Sequence, residues 1–439
     1  MAAPALTRRA LLVRAVPIMG ANIATPLVGL ADLAVIGNTG DAAAIAAVAL
    51  GTLVFNAFYW SLGFLRMGAT ALAAQADGGA TPGESAAVLW RGLAVGAGLG
   101  LVMVILQVPL REAAFAAFSG ADDVEAAGRA YVDARIWGAP AALAGFALYG
   151  WLIGLGLTGR ALILQIALNL ANIALSLWFV LGLDLGVAGV GWASALAQWL
   201  HLIAAAVLVA PILKARRTPG RGQLLDRARL VRLFAVNRDI FLRTLALLAG
   251  FYWFNEASLR LGPEVLAGNA ILLQFISISA FFLDAFAHVA EAETGRAAGA
   301  RDWPALKRAF RLTSELAAAC AVSLGAVFLA GGAFFITAMT DDPAARTAAM
   351  EALVWCALVP VLGWPSWQLD GLMIGTTRGA LMRNAMIAAL LIYLALDLTL
   401  RPLMGVNGLW LAFLMYYVAR AATLAVGLPG LKRDYAPAS

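Results

Sequence analysis

Residues 10–36 read ALLVRAVPIMGANIATPLVGLADLAVI, and this stretch decides the fold. About 20 apolar residues at helical rise cross the hydrocarbon core of a bilayer. The run is long enough to do so, yet it carries Asp32 near its far end. A carboxylate at that depth costs about 3 kcal/mol on insertion scales, so it normally faces a protein interior or a watery cavity. There it handles protons, ions or substrate, and Asp32 is the first candidate for function.

Similar runs recur almost to the end of the chain, broken by short charged or Gly/Pro-rich connectors. With 62% hydrophobic and 13% charged residues over 439 positions, the composition is too apolar for a soluble protein. Twelve spans are expected, near 10–37, 44–73, 87–110, 126–153, 158–182, 186–211, 230–259, 264–290, 306–335, 345–375, 379–398 and 404–428. The fold class is therefore an all-α polytopic membrane protein. Thr7-Arg8-Arg9 faintly resembles a twin-arginine export signal, but the following segment is too long and contains Asp32. It reads as the first transmembrane helix.

The net charge of +6 invites a nucleic-acid reading, but the positions of the charges argue against one. Lys214, Arg216, Arg217, Arg221, Arg227, Arg229 and Arg232 cluster after span six. Arg8, Arg9 and Arg14 stand at the start of span one, and Arg301, Lys307, Arg308 and Arg311 follow span eight. The alternate loops carry Asp41, Asp122, Asp123, Asp184, Asp341 and Asp342 instead. The positive-inside rule then puts both termini and the long connector in the cytoplasm. Cys320 and Cys356 fall in or beside spans and lack metal-site spacing.

A weak internal duplication runs through the chain at an offset of about 220. Residues 72–78 correspond to 293–299, and Gly186-Val-Ala-Gly189 to Gly405-Val-Asn-Gly408. Ser119 to Asp123 lines up with Thr340-Asp-Asp, and Pro140 with Pro360. The expected organisation is an N-terminal six-helix lobe over 1–213, a basic linker over 214–229 and a C-terminal lobe over 230–439. Two such pseudo-symmetric bundles in one orientation suit a transporter that binds substrate between halves and rocks one against the other.

Helical spacing collects polar residues into stripes. Asn22, Thr25, Gly29 and Asp32 share a face of span one. Thr52, Asn56, Tyr59, Gly63, Arg66 and Thr70 share one of span two. Span five offers Asn169, Asn172 and Ser176, and span six Ser194, Gln198 and His201. Span eight offers Gln274, Ser277, Asp284, His288 and Glu291. Lipid-facing polar groups are costly, so these stripes should face a bundle or an aqueous cavity. Interhelical hydrogen bonding alone accounts for such Asn, Ser, Thr and Gln residues at about 0.6–2 kcal/mol each. A carboxylate is not needed for that, which sets Asp32 apart. Asp284, Glu256 and Asp370 stand between the two roles, as cavity groups or as partners of Arg66, Arg260 or Arg378. His201 and His288 read as hydrogen-bonded structural histidines, with proton relay the alternative, and Glu291 and Glu293 as solvated at the cytoplasmic interface. The substrate-cavity candidates are Asn22, Thr25, Asn56, Asn169, Gln274, Ser277, Asp284 and Asp370. Pro26 removes one helix hydrogen bond and should bend span one beside Asp32.

No soluble-enzyme chemistry is visible. The P-loop, His-Glu-x-x-His, Cys-x-x-Cys and Gly-x-Ser-x-Gly patterns are all absent, so neither an enzymatic activity nor a cofactor is expected. Without an ATPase motif, uphill transport must draw on an ion gradient or a partner.

Gly29-Leu-Ala-Asp-Leu-Ala-Val-Ile-Gly37 and Gly63-Phe-Leu-Arg-Met-Gly-Ala-Thr70 resemble the multidrug and toxic compound extrusion (MATE) family, most of all its DinF-like branch. Residues 169–180, 282–287 and 369–375 extend the resemblance over essentially the whole chain. It implies twelve helices in two six-helix lobes, in the inner membrane of a prokaryote. It also implies a cation-coupled antiporter, working as a monomer, that expels amphipathic and often cationic organic compounds. The span-one aspartate, here Asp32, is central to coupling in that family; Asn172 matches a span-five asparagine and Ser194 a span-six hydroxyl. Many relatives carry a second aspartate one turn after that asparagine, where this chain has Ser176. A sodium site wants several oxygen ligands and enough negative charge to offset lost water. With one carboxylate, protons become the expected coupling ion, and sodium at Asp32 and Asn172 the alternative.

Carboxyl groups shielded from water take up protons more readily than those in solution. Asp32 is therefore expected to be protonated from outside and deprotonated toward the cytoplasm, with substrate released outward on protonation. Two rival readings are export or flipping of an amphipathic or lipid-linked metabolite, and a non-transporting membrane scaffold. Among the polar stripes of the predicted spans only Arg66 is cationic, which favours a cationic or neutral cargo.

Overall fold

The structure is a computed structural model that describes residues 6–38, 42–116 and 122–436. Asp41 and Ser119, both used in the sequence reading, lie outside the described residues. Among those described, the chain is helical and has no β-strand. The long helices are α1 (Arg8–Gly37), α2 (Ala42–Gly78), α3 (Glu84–Ile105), α4 (Asp122–Gly154), α5 (Thr158–Gly182) and α6 (Gly186–Lys214). They continue as α7 (Arg227–Leu261), α8 (Pro263–Gly299), α9 (Trp303–Met339) and α10 (Pro343–Gly375). The last long segment, Gly379–Ala425, breaks at Gly405 into α11 (379–404) and α12 (406–425).

Among the described residues ten segments are long and apolar enough to cross a bilayer. Charged residues such as Arg232, Arg238, Asp239 and Arg243 lower the hydropathy of α7, and Gly379–Tyr435 counts as one segment despite its break. Including α7 and dividing at Gly405 gives the twelve helices expected. Gly405 has φ +56° and ψ −128°, a backbone conformation that a side chain strongly disfavours.

The chain forms two compact units, Gly20–Leu233 and Met1–Met19 with Phe234–Ser439. In the first, α4 crosses α2 at Gly150 and Gly154. A Cβ at Gly150 would stand 2.1 Å from the Arg66 carbonyl oxygen, and one at Gly154 2.5 Å from that of Thr70. In the second, α10 crosses α8 in the same way. Cβ atoms at Gly371 and Gly375 would each stand 2.4 Å from a carbonyl oxygen, that of Ala287 and of Glu291 respectively. Small residues four apart let backbones approach this closely, which compensates for the missing hydrophobic drive between helices in lipid.

The left-handed residues repeat as well. Ala80 and Arg301 (φ 49° and 55°) follow α2 and α8, and Gly156 and Thr377 (φ 73° and 57°) follow α4 and α10. Gly186 and Gly405 (φ 54° and 56°) open α6 and α12. The duplication read from the sequence is therefore present in backbone geometry.

Each unit has its own core. In Gly20–Leu233, Val35, Ile36, Val48, Phe55, Tyr131 and Ile136 form one buried cluster. In the other unit, Phe254, Tyr393, Trp410, Phe413, Tyr416 and Tyr417 are fully buried and meet mostly edge-on. The basic linker folds onto the first unit. Arg216 donates to Asp77 at 3.0 Å, Gln223 to the Pro82 carbonyl at 3.1 Å, and Arg229 pairs with Glu84.

Candidate functional site

Asp32 lies in the last turns of α1 and is 1% exposed. Ser176, fully buried on α5, donates its hydroxyl to Asp32 Oδ1 at 2.9 Å. One turn earlier, Asn172 donates Nδ2 to Ser194 Oγ on α6 at 3.0 Å. Asn172 Oδ1 is buried and has no hydrogen-bond partner among the described residues. Asn169, a further turn back, donates Nδ2 to the Ala24 carbonyl at 2.7 Å and accepts from Gln165 at 2.9 Å. The Asn169–Asn172–Ser176 stripe of α5 thus ties α1 at two points, one two residues before Pro26 and one at the carboxylate. α1 runs helical through Pro26.

A cation not singled out in the sequence reading also bears on this site. Arg135, on α4, acts on Asp32 electrostatically, as Ser194 does through its hydroxyl. Arg135 donates to the Tyr131 hydroxyl, and its guanidinium lies 4.8 Å from the centre of the Phe55 ring. Tyr131 in turn shares a hydrogen bond with Thr52 at 3.1 Å. The i, i+4 spacing of Tyr131 and Arg135 inside an apolar span was the available signal.

The remaining cavity candidates fall into several environments. Asn22 is half-buried and engaged. Thr25 and Ser277 donate to the carbonyls of Ala21 and Leu273 on their own helices, both at 3.0 Å. Asn56 and Gln274 are exposed, and Asp284 is half-buried and engaged. Asp370 does not pair with Arg66, Arg260 or Arg378. Its Oδ2 accepts from Arg420 at 2.8 Å and from Arg243. Arg66 is therefore not the single cation among the spans, because Arg135, Arg243 and Arg420 were overlooked. Glu256 does pair with Arg260, at 3.2 Å.

Three further expectations are corrected. Glu291 and Glu293 are not solvated: Glu291 is fully buried, and Glu293, 8% exposed, pairs with Arg14 and with Arg296 at 2.7 Å. These residues sit in the tight α8–α10 crossing, which shuts water out. His201 is buried, but its Nδ1 has no hydrogen-bond partner among the described residues. It packs instead over Gly145, where a Cβ would lie 3.4 Å from Nδ1. Asp397, absent from the sequence candidates, is buried and accepts from Trp253 at 2.8 Å and Arg401 at 3.2 Å.

Among the described residues no group of three or more His, Cys, Asp or Glu side chains is placed to hold a metal ion. The polar set around Asp32 consists of one carboxylate, two hydroxyls and an amide, with the Arg135 guanidinium acting on the carboxylate from α4.

Two six-helix halves with buried ionisable residues suit a membrane transporter built from repeats. The MatE family model matches residues 17–178 and 244–399, and the chain belongs to that family, whose members are transporters rather than enzymes. It is 34% identical over 414 residues to DNA damage-inducible protein F of Escherichia coli (strain K12), covering 94% of this chain and 90% of that protein. It is 26% identical over 456 residues to multidrug resistance protein MdtK of Edwardsiella ictaluri (strain 93-146), covering 97% and 96%. A structure described as the outward-facing conformation of a multidrug resistance MATE family transporter of the MOP superfamily has the same fold. The TM-score is 0.86 at 18% identity, covering 98% of this chain and 97% of that one. The chain is thus a multi-pass membrane transporter of the DinF-like branch.

Proposed function

We propose that this chain is a proton-coupled antiporter that exports small amphipathic organic compounds by alternating access of its two lobes. The observation that carries the reading is the buried Asp32 carboxylate, which accepts from Ser176 on α5, the helix whose Asn169 also donates to the Ala24 carbonyl beside Pro26. On this reading protonation neutralises Asp32 and weakens its claim on the Ser176 hydroxyl. α1 is then freed to bend at Pro26, and substrate leaves outward. Deprotonation toward the cytoplasm restores the bond and the substrate-binding state.

Protons are preferred over sodium because Ser176 replaces a second carboxylate, leaving one negative charge to offset the dehydration of an ion. Asp32 and the free Asn172 oxygen are the groups that a sodium ion would use. The lobes are taken as 1–213 and 230–439 with 214–229 between them, acting as a monomer with both termini in the cytoplasm. Multidrug resistance, the role carried in the name of the MdtK relative, fits this reading. The cationic preference expected from the sequence counted Asp370 as an open carboxylate; with Arg243 and Arg420 on it, Asp370 no longer favours a cation.

Flux in proteoliposomes under separately imposed proton and sodium gradients tests the proposal, with the cation ethidium and the acid anthracenecarboxylate as separate probes. Efflux driven by the proton gradient and lost in Asp32→Asn is expected. Stimulation by sodium alone would overturn the coupling ion, and no flux under either gradient would overturn transport of such compounds.

A further inference from the structure

Three spans of the C-terminal unit, α7, α10 and α12, bring two arginines onto one carboxylate oxygen. Arg420 donates Nη2 to Asp370 Oδ2 at 2.8 Å, and Arg243 donates its own Nη2 to the same atom. All three side chains are more than nine-tenths buried: Arg243 and Asp370 are each 6% exposed and Arg420 3%. Two guanidinium charges therefore face one carboxylate inside a membrane protein. Arg420, Arg243 and Asp370 are also the charged groups that act on the adjacent Tyr416. Asp284 acts on the neighbouring Tyr417 from α8.

An uncompensated charge in such surroundings is costly unless something pairs with it. The donors for a pairing are present. Nε of Arg243 and Nε of Arg420 are both buried, and neither has a hydrogen-bond partner among the described residues. A guanidinium presents Nε–H and a neighbouring Nη–H as a planar fork, the geometry that takes a carboxylate or sulfonate in two parallel bonds. Arg420 is held flat by Tyr417, whose ring centre lies 5.2 Å from its central carbon. Tyr417 is itself stacked on Trp367 with centroids 4.9 Å apart. The cluster thus joins an anion fork to an aromatic wall.

We propose that Arg243 and Arg420 form a binding site for the acidic group of the cargo, so that amphipathic organic acids with an aromatic or other flat apolar body are substrates. The inference rests on the export reading above and names its substrate class. Asp370 occupies the site as an internal competitor: it holds the two arginines together when cargo is absent and shares them when an external acid enters. The extra positive charge is then balanced by the cargo rather than by a fixed residue. An organic cation would meet two like charges here.

Equilibrium binding to the purified full-length protein in lipid nanodiscs tests this with two fluorescent probes that share a ring system, anthracenecarboxylate and anthracenemethylammonium. The wild type should prefer the carboxylate. Arg420→Gln and Arg243→Gln should each weaken carboxylate binding by about tenfold or more, since hydrogen bonds to charged groups contribute about 1.5–3 kcal/mol. Ammonium binding should not weaken in either variant. Asp370→Asn removes the competitor and should tighten carboxylate binding, a gain that misfolding cannot mimic. Equal affinity of the wild type for both probes would overturn the proposal. So would unchanged or weaker carboxylate binding in Asp370→Asn, whatever the arginine variants do. Binding needs no turnover, so failure here is separable from failure of the export reading, which proton-driven flux of either the ethidium or the anthracenecarboxylate probe decides.

Discussion

Ser176 donates its hydroxyl to Asp32 at 2.9 Å, joining α5 to α1 through two fully buried side chains. Removing one partner of a buried hydrogen bond to a charged group costs about 1–3 kcal/mol, because the group left behind has also lost water. Ser176→Ala should therefore slow proton-driven efflux by about tenfold in proteoliposomes while the protein still reconstitutes. Ser176→Asp tests the same contact from the other side. It adds a second carboxylate beside Asn172 Oδ1 and should introduce sodium stimulation that the wild type lacks. Wild-type rates in both variants would remove Ser176 from coupling.

Asp32→Asn keeps the size of the side chain and its capacity to accept from Ser176, but it takes away the exchangeable proton. Efflux driven by a pH gradient should be abolished and equilibrium binding of cargo weakened toward that of the protonated state, whereas membrane insertion should persist. Retained gradient-driven efflux in this variant would sink the coupling role of Asp32.

The elements of that site were legible because they obey local rules. Helical spacing places Asn169, Asn172 and Ser176 on one face of α5, and an acidic residue inside an apolar run marks α1. The pairing of Ser176 with Asp32 was not readable from spacing, since the two lie 144 residues apart. The same limit hid the Asp370 cluster: Arg243 and Arg420 stand 127 and 50 residues from it. Periodicity names a face but not the neighbour across it. Gly150–Gly154 and Gly371–Gly375 escaped notice for another reason, the 44 glycines of this apolar chain, against which a spacing of four stands out poorly. Arg135 could have been found, because it is a charge within a span like Asp32.

Outside the spans, the short helix Gln107–Phe115 offers a pH prediction. Arg129 donates to Glu112 at 2.6 Å and 2.5 Å, and Arg111 donates at 3.0 Å. These hydrogen bonds, that of Arg129 foremost, hold the Glu112 carboxyl below its ordinary value of 4.5. A group depressed in the folded state stabilises above its unfolded value, and that contribution fades as pH falls through the folded one. The melting temperature of the wild type in detergent should therefore exceed that of Glu112→Gln at neutral pH by a small margin, since the carboxylate is exposed and screened. The margin should close below pH of about 4. A difference that persists unchanged in acid would show that the ion pairs contribute nothing.

The glycine crossings allow the duplication to be tested in energy as well as geometry. A methyl group at Gly150 would sit 2.1 Å from the Arg66 carbonyl oxygen, and one at Gly371 2.4 Å from that of Ala287. Backbone cannot yield as a side-chain tip does, so α2 and α4, or α8 and α10, must separate. Overpacking of this kind costs about 1–3 kcal/mol. Gly98, on α3, is the internal control: it is exposed, and no atom lies within 4 Å of the place an added methyl group would take. Alanine there gains helix propensity of about 1 kcal/mol at most. Gly150→Ala and Gly371→Ala should each lower the melting temperature of the detergent-solubilised protein by several degrees, and Gly98→Ala should leave it unchanged or raise it. If Gly150→Ala melts with the wild type, the close crossing is not what holds α2 to α4. If only one of the two crossings responds, the two lobes share a backbone plan without sharing its energetics.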